Sequence, residues 1–466
     1  MTGTMSTLGF FAVILCIYYL LPLKRRWWLL LGASIVFYAS ADWKMLALIG
    51  ASIGISYYAG LKISSEENKE KKKKWMIAVI GLLVVILMIF KYFGFFANAV
   101  AKVMARLGLG TNSLVFQIAM PLGISYYTFK IISYMVDSYK GKIEAEKHLG
   151  YYALYVSFFP QILCGPIERA EYFIPQLKYG CKFEDKLTAE GIERIIIGLF
   201  KKLVIADRLA LYVGTIFDAP AAYPGLASWM AAFFYSVQIY CDFSGYSDMA
   251  IGMGQMLGIR TRENFNYPYF SRNIKEFWSR WHISLSSWLR DYIYIPLGGN
   301  RKGKLRKNVN TLAVFLVSGV WHGSSLNFVF WGGLHGLWNM ISAPKKEDAP
   351  SWKQIIQVLV TFAGVTFTWI FFRAKDLATA VAMLKHMVTG FGLSIDQITT
   401  SLLPFTGDNT CAAHFLIICL LIVFLAVFEW RKNKRKEASY GWIAAMLALI
   451  LLLGKFGSSS FLYGNF

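Results

Sequence analysis

Charge is scarce in this sequence, and acidic charge is scarcer than basic. Only 16% of the 466 residues are charged, where a soluble globular chain carries about a quarter. The 27 Asp plus Glu face 48 Lys plus Arg. Histidine is rare, with six residues and none at ligand spacing, which leaves no metal site. The six cysteines, at 16, 164, 181, 241, 411 and 419, lie far apart without a C-x-x-C pair. That excludes zinc and a disulfide framework and leaves thiols acting as small buried hydrophobes. There is no P-loop and no H-E-x-x-H. Gly252–Gly258 has the wrong final spacing for a dinucleotide loop, and Gly245–Met249 lacks the last glycine of a nucleophile elbow. No repeat or low-complexity linker divides the chain, so it reads as one domain.

What is abundant is apolar: 56% of the residues, gathered into runs such as Met76–Phe90 and Phe415–Phe428. Fifteen Trp, 26 Tyr and 36 Phe add the residues that favour membrane interfaces. This composition excludes a disordered chain, a collagen-like fibre and a small disulfide scaffold, and points to a polytopic membrane protein. In a soluble protein the net charge of +21 suggests nucleic acid. Here the basic residues cluster between apolar runs, at Lys24–Arg26, Lys71–Lys74, Arg301–Lys307, Lys345-Lys346 and Arg431–Arg435, with no RNA-binding motif beside them. They read as the cytoplasmic excess that orients a membrane protein, with no nucleic-acid partner.

Topology follows from these clusters. The first 23 residues contain no Lys or Arg, so a cleavable signal with a basic leading region is not expected. The run Gly9–Leu23 precedes Lys24–Arg26, which predicts an external N-terminus. Trp27–Ala41 and Met45–Leu61 return the chain to a basic loop at Glu66–Lys74, and Met76–Val100 crosses again. Near the other end, Ile355–Phe372 and Ala412–Phe428 separate two basic clusters, and Tyr440–Leu453 is the last run. Leu114–Val136, Tyr151–Leu163, Ile192–Val213 and Ser228–Leu257 are apolar but interrupted by Pro, Gly and charge. Several are short for a hydrocarbon core about 30 Å thick, so re-entrant or broken helices are expected, within a total of about 11 spans.

Ionisable residues inside membrane segments are functional hypotheses by default, and their density peaks between Asp242 and His335. His322 lies between the apolar runs Val309–Val320 and Leu326–Ile341, where a helix pair turns or two half-helices meet. A neutral imidazole there suits general-base chemistry, and a packing histidine fits the spacing equally well. His282, if helical, shares a face with Trp278 and Ser286; it could orient substrate or polarise a carbonyl, although an interfacial histidine beside aromatic anchors is the simpler reading. Asp242, Asp248 and Asp291 could support the histidines as hydrogen-bond partners or be buried members of pairs with Arg280 and Arg290; pairing is the expectation, because an unpaired buried carboxylate is costly. His335, beside Gly332, Gly333 and Gly336, reads as packing.

Longer motifs accompany these residues: 121–129 (PLGISYYTF), 157–161 (SFFPQ) with Gly165-Pro166-Ile167, 198–202 (GLFKK), 242–248 (DFSGYSD) and 264–269 (NFNYPY). The most specific runs from Glu276 to Ser286 (EFWSRWHISLS) and on through Arg290-Asp291-Tyr292 to 296–301 (PLGGNR); Trp321-His322-Gly323 and 369–374 (WIFFRA) complete the set. In these motifs the chain resembles the membrane-bound O-acyltransferases, in particular the bacterial subgroup of alginate O-acetylase membrane subunits. The resemblance implies an all-α polytopic membrane fold, with spanning and broken helices around a central tunnel. It divides the chain into N-terminal helices (1–110), a catalytic core (115–342) and C-terminal helices (352–466).

It also implies that His322 is catalytic and that His282 holds the second motif position, with Trp278, Arg280, Trp281, Arg290, Asp291, Asn300, Arg301 and Trp321 binding donor or substrate or supporting the histidines. The implied activity moves an acyl group from a cytoplasmic thioester, acetyl-CoA as co-substrate with no bound cofactor or metal, to a polysaccharide outside the cell membrane, through an extracytoplasmic esterase-like partner. The alternatives are D-alanyl transfer to teichoic acid from a carrier protein, and a non-enzymatic polysaccharide export or scaffold protein.

Overall fold

A long apolar run that leaves water can satisfy its backbone hydrogen bonds alone only as a helix. The computed structural model agrees, with nineteen α-helices and no strand among the described residues, which are 3–107, 120–180, 182–343, 350–406, 410–435 and 440–457. Cys181, Lys345-Lys346, Lys436 and the start of the 114–136 run lie outside them. Among the described residues, four stretches are long and apolar enough to cross a membrane: Leu23–Ser65, Lys69–Ala97, Ser351–Arg373 and Cys411–Lys434. Thr4–Leu20, Leu377–Thr389 and Tyr440–Leu453 are apolar but shorter. The other crossings expected from the sequence fall in helices too short or too polar for that standard.

The chain divides into two compact units. The first comprises Met1–Gly191 and Met253–Arg262. Its helix Lys69–Arg106 turns Leu82, Val84, Val85 and Ile89 outward, an apolar face that suits lipid. The basic run at 71–74 is not the loop expected from the sequence but the first turns of this helix. Four lysines oppose the helix dipole there. The Asn68 side chain offsets this by accepting from the backbone N–H groups of Glu70 and Lys71, at 2.9 and 3.2 Å. Lys304–Lys307 likewise open the helix Gly303–His322. These two clusters thus stand at helix starts.

The second unit comprises Ile192–Gly252 and Glu263–Asn465. Gly225–Met256 is one 32-residue helix rather than the short or broken segment expected. The irregularity lies instead in the neighbouring run, where a π-helical turn at Phe200–Ala206 joins Asp185–Leu199 to Asp207–Asp218. Further on, Gly303–His322 and Leu326–Ile341 form an antiparallel pair whose turn begins at His322, the first of the two arrangements the sequence left open. This pair packs backbone to backbone. A Cβ on Gly319 would lie 2.3 Å from the Phe328 carbonyl oxygen, and one on Gly332 would lie 2.4 Å from that of Phe315, so the pair closes only with glycine at the contact. Gly333 meets nothing nearer than a Leu316 methyl at 3.9 Å. Gly332→Val should therefore destabilise the detergent-solubilised protein by at least the about 1–3 kcal/mol of an overpacked contact, read as a lower thermal midpoint. Gly333→Ala should leave the midpoint nearly unchanged.

Candidate active site

The polar side chains of the second unit are neutralised in layers. The π-helical turn buries two consecutive lysines, Lys201 and Lys202, at 4% and 1% exposure. Lys202 Nζ lies 2.6 Å from Asp242 and 2.8 Å from Asp207. Lys201 Nζ lies 3.1 Å from both Asp248 and Glu429, and the Tyr240 hydroxyl donates to Glu429 at 2.7 Å. Arg194 donates to Asp248 through Nε at 2.9 Å and grips both oxygens of Glu263. The expected pairing of Asp242 and Asp248 is therefore present, but with Lys201, Lys202 and Arg194 in place of Arg280 and Arg290. Only Asp291 pairs as expected, with Arg290 at 2.9 Å, and that pair is largely exposed. A buried carboxylate takes whichever cation packing brings to it, and sequence proximity does not select the partner.

Beside this network the chain between Ile274–Arg280 and Ile283–Leu289 reverses at His282. His282 is not on a helix face with Trp278 and Ser286, as its spacing allowed. It is the residue before the second helix, in the left-handed region at φ 43°, a conformation costly for a side chain with a Cβ. Backbone bonds hold it there, because Ile283 N–H donates to the Asn264 carbonyl and Asn266 N–H to the Arg280 carbonyl, both at 2.9 Å. The imidazole is 1% exposed, with Phe243 packed against it at 87° and 4.7 Å between ring centres. His282 Nδ1 lies 2.9 Å from Asn264 Oδ1, and among the described residues its Nε2 has no hydrogen-bond partner.

His322 closes the helix Gly303–His322 at 3% exposure. Its ring meets Trp331 and Phe372 edge-on, at 5.3 and 5.1 Å between centres. The Trp321 indole contacts both histidines, its ring centre 4.7 Å from that of His322 and 6.3 Å from that of His282. His335, in contrast, is satisfied on both nitrogens. Trp278 Nε1–H donates to its Nδ1 at 3.2 Å, and its Nε2 lies 2.8 Å from the Thr368 hydroxyl, which itself donates to the Val365 carbonyl. That bonding agrees with a packing role.

The other residues implied by the resemblance separate. Trp321 joins the histidines, whereas Trp278 goes to His335. Trp281, 1% exposed, stacks on Phe277 and meets Phe265 and Trp369, so it belongs to the aromatic core. Arg280 pairs with Glu276 at 2.9 Å. Asn300 and Arg301 are exposed in the turn before Gly303–His322, a turn held by Asn310, which donates to the Leu297 and Gly299 carbonyls. Asn264, Asn310, Arg194 and the lysine pair were not singled out from the sequence as site residues. Their partners lie too far along the chain for any spacing rule; Asn264 and the two lysines at least stand within quoted motifs, whereas Arg194 and Asn310 stand in none. A cleft of about 320 Å³ opens where Ile283, Tyr267, Arg194, Lys201 and Glu429 meet, one residue from His282 and at the small end of ligand sites.

Lys202→Met would strip the ammonium from two buried carboxylates. Removing one partner of a buried pair costs about 3–5 kcal/mol, so the variant should melt well below the native protein. Adding Asp242→Asn should recover part of the loss, and no recovery would mean that the lysine does not act through that pair.

Comparison with known proteins agrees with this architecture. The profile of the membrane-bound O-acyltransferase family matches residues 113–342. A probable alginate O-acetylase of Pseudomonas putida is 37% identical, over 95% of this chain and 93% of its own. A peptidoglycan O-acetyltransferase of Helicobacter pylori is 35% identical, over 98% and 94%. A teichoic acid D-alanyltransferase of Bacillus subtilis is 32% identical, over 54% of this chain and 69% of its own. Identity at this level across nearly the full length of two relatives, carried on an all-helical fold, makes this chain a member of the membrane-bound O-acyltransferase family.

Proposed function

We propose that this protein moves an acetyl group from a cytoplasmic thioester to hydroxyl groups of a polysaccharide outside the cell membrane. Two relatives matched over more than nine-tenths of their length are named for acetylation of alginate or peptidoglycan. The D-alanyltransferase corresponds to little more than half of this chain, which favours acetyl over D-alanyl transfer. The observation that carries the catalytic assignment is the pair of buried imidazoles, His282 and His322, both in ring contact with Trp321.

In this reading acetyl-CoA enters from the inner face, and the acceptor hydroxyl from the outer. His322 takes the hydroxyl proton as the oxygen attacks the thioester carbonyl, the C–S bond breaks, and the imidazolium returns the proton to the departing thiolate. A positioned base of this kind contributes about 10²–10⁴ in rate. With Nδ1–H directed at Asn264, neutral His282 offers Nε2 as an acceptor that orients the incoming hydroxyl before its hydrogen turns to His322. It supports the oxyanion only once protonated, because an oxyanion needs a donor. Basic residues of the 301–307 stretch face the inner side and attract the donor phosphates, consistent with an external N-terminus. In this reading the attacking hydroxyl is that of an extracytoplasmic esterase-like partner, which then passes the acetyl group to the polymer.

His322→Ala should lower transfer of labelled acetyl from acetyl-CoA by at least about 100-fold; the native rate in that variant would overturn the mechanism. Charged carrier protein should not replace acetyl-CoA as donor. Mass analysis of surface glycans from cells with and without the protein should show one polymer losing its O-acetyl groups, and unchanged glycans would rule out the function.

A further inference from the structure

We propose that Asn264 is a positioning residue for acyl transfer: its side-chain carbonyl keeps the proton of His282 on Nδ1 and leaves Nε2 as a hydrogen-bond acceptor. This rests on the acyl-transfer reading above and adds a residue to it.

The orientation of the Asn264 amide follows from its neighbours. Oδ1 lies 3.4 Å from the backbone N–H of Ser284, a group that can only donate, so the atom on that side is oxygen. The Ser284 hydroxyl donates to the same oxygen at 2.8 Å. On the opposite side Nδ2 donates to the Ser247 hydroxyl at 3.0 Å, on the helix Gly225–Met256. A flipped amide would set Nδ2 against the Ser284 N–H. With Oδ1 so fixed, the 2.9 Å contact to His282 requires a hydrogen on Nδ1. In a neutral imidazole the other nitrogen then carries the lone pair. Asn264 is fully buried, so no solvent competes for the contact.

The support for Asn264 is itself clamped. Its backbone carbonyl accepts from Ile283 N–H, on the far side of His282. Its chain neighbour Glu263 is gripped by Arg194, which also binds Asp248, the residue after Ser247. One ion-pair cluster therefore fixes both the segment carrying Asn264 and the helix carrying its acceptor. Supporting groups of this kind around a functional imidazole set its tautomer and orientation, and their loss lowers activity without removing the group itself.

Two measurements on the full-length protein test this. In ¹⁵N spectra of histidine-labelled protein, the resonance lost in His282→Gln should show the Nδ1–H neutral tautomer in native protein and lose it in Asn264→Leu. An unchanged tautomer in Asn264→Leu overturns the proposal. In acetyl-transfer assays, Asn264→Leu should lower kcat about 10–100-fold with KM for acetyl-CoA unchanged, taking as guide the loss of a supporting partner from a metal-bound imidazole. It should add no further loss in a His282→Gln background. Asn264→Asp keeps an acceptor toward Nδ1 and should retain both the tautomer and most of the rate, so the proposal stays testable should the leucine variant misfold; loss of the tautomer in the aspartate variant overturns it. Inactive His282→Gln beside fully active Asn264→Leu overturns this inference alone. Fully active His282→Gln overturns both it and the role of His282 in the reaction.

Discussion

A group that gives up water must find its partner within the protein, and in an apolar interior the penalty for failing is several kcal/mol. The interior of the second unit is organised around that constraint. Lys201 and Lys202, adjacent and buried, draw four carboxylates from three helical segments: Asp207, Asp242, Asp248 and Glu429. Arg194 continues the network to Glu263. Because each ion depends on a partner from another segment, the network fixes how those segments sit against one another. The precision at His282 is inherited from it.

The same constraint explains the shape of the candidate site. A histidine in a left-handed backbone conformation is expensive, and it persists at His282 because flanking backbone bonds and a buried amide hold the reversal in place. His322 is placed differently, at the end of a helix whose close approach to its neighbour depends on Gly319 and Gly332. One imidazole is therefore positioned by hydrogen bonds and the other by helix packing. Trp321 is the ring both share. A reaction that needs two groups at fixed separation is served by an arrangement in which neither rests on a mobile loop.

Much of the outer frame was legible because hydrophobicity and charge act locally. The runs at Trp27–Ala41, Ile355–Phe372 and Tyr440–Leu453 became the helices Arg26–Asp42, Ser351–Arg373 and Tyr440–Leu453. The turn at His322 was foreshadowed by two apolar runs meeting at a polar residue. Reading failed where tertiary contacts outweighed local pattern. Ser228–Leu257 looked interrupted because of Asp242 and Asp248, yet those carboxylates are neutralised by lysines from another segment and the helix runs through. The basic clusters looked like loops, yet caps such as Asn68 carry them into helices.

The sequence by itself determined the membrane class, the family motifs and the two histidines, since composition, run length and motif identity are properties of the linear chain. Only the tertiary structure decided which carboxylate meets which lysine, that His282 lies off the helices on either side of it, and that Asn264 rather than a neighbour in sequence lies against its Nδ1. The physical reason is reach. Helical and strand periodicities relate residues within a turn or a pleat, whereas Asn264 and His282 are separated by 18 positions, and Lys201 and Asp248 by 47.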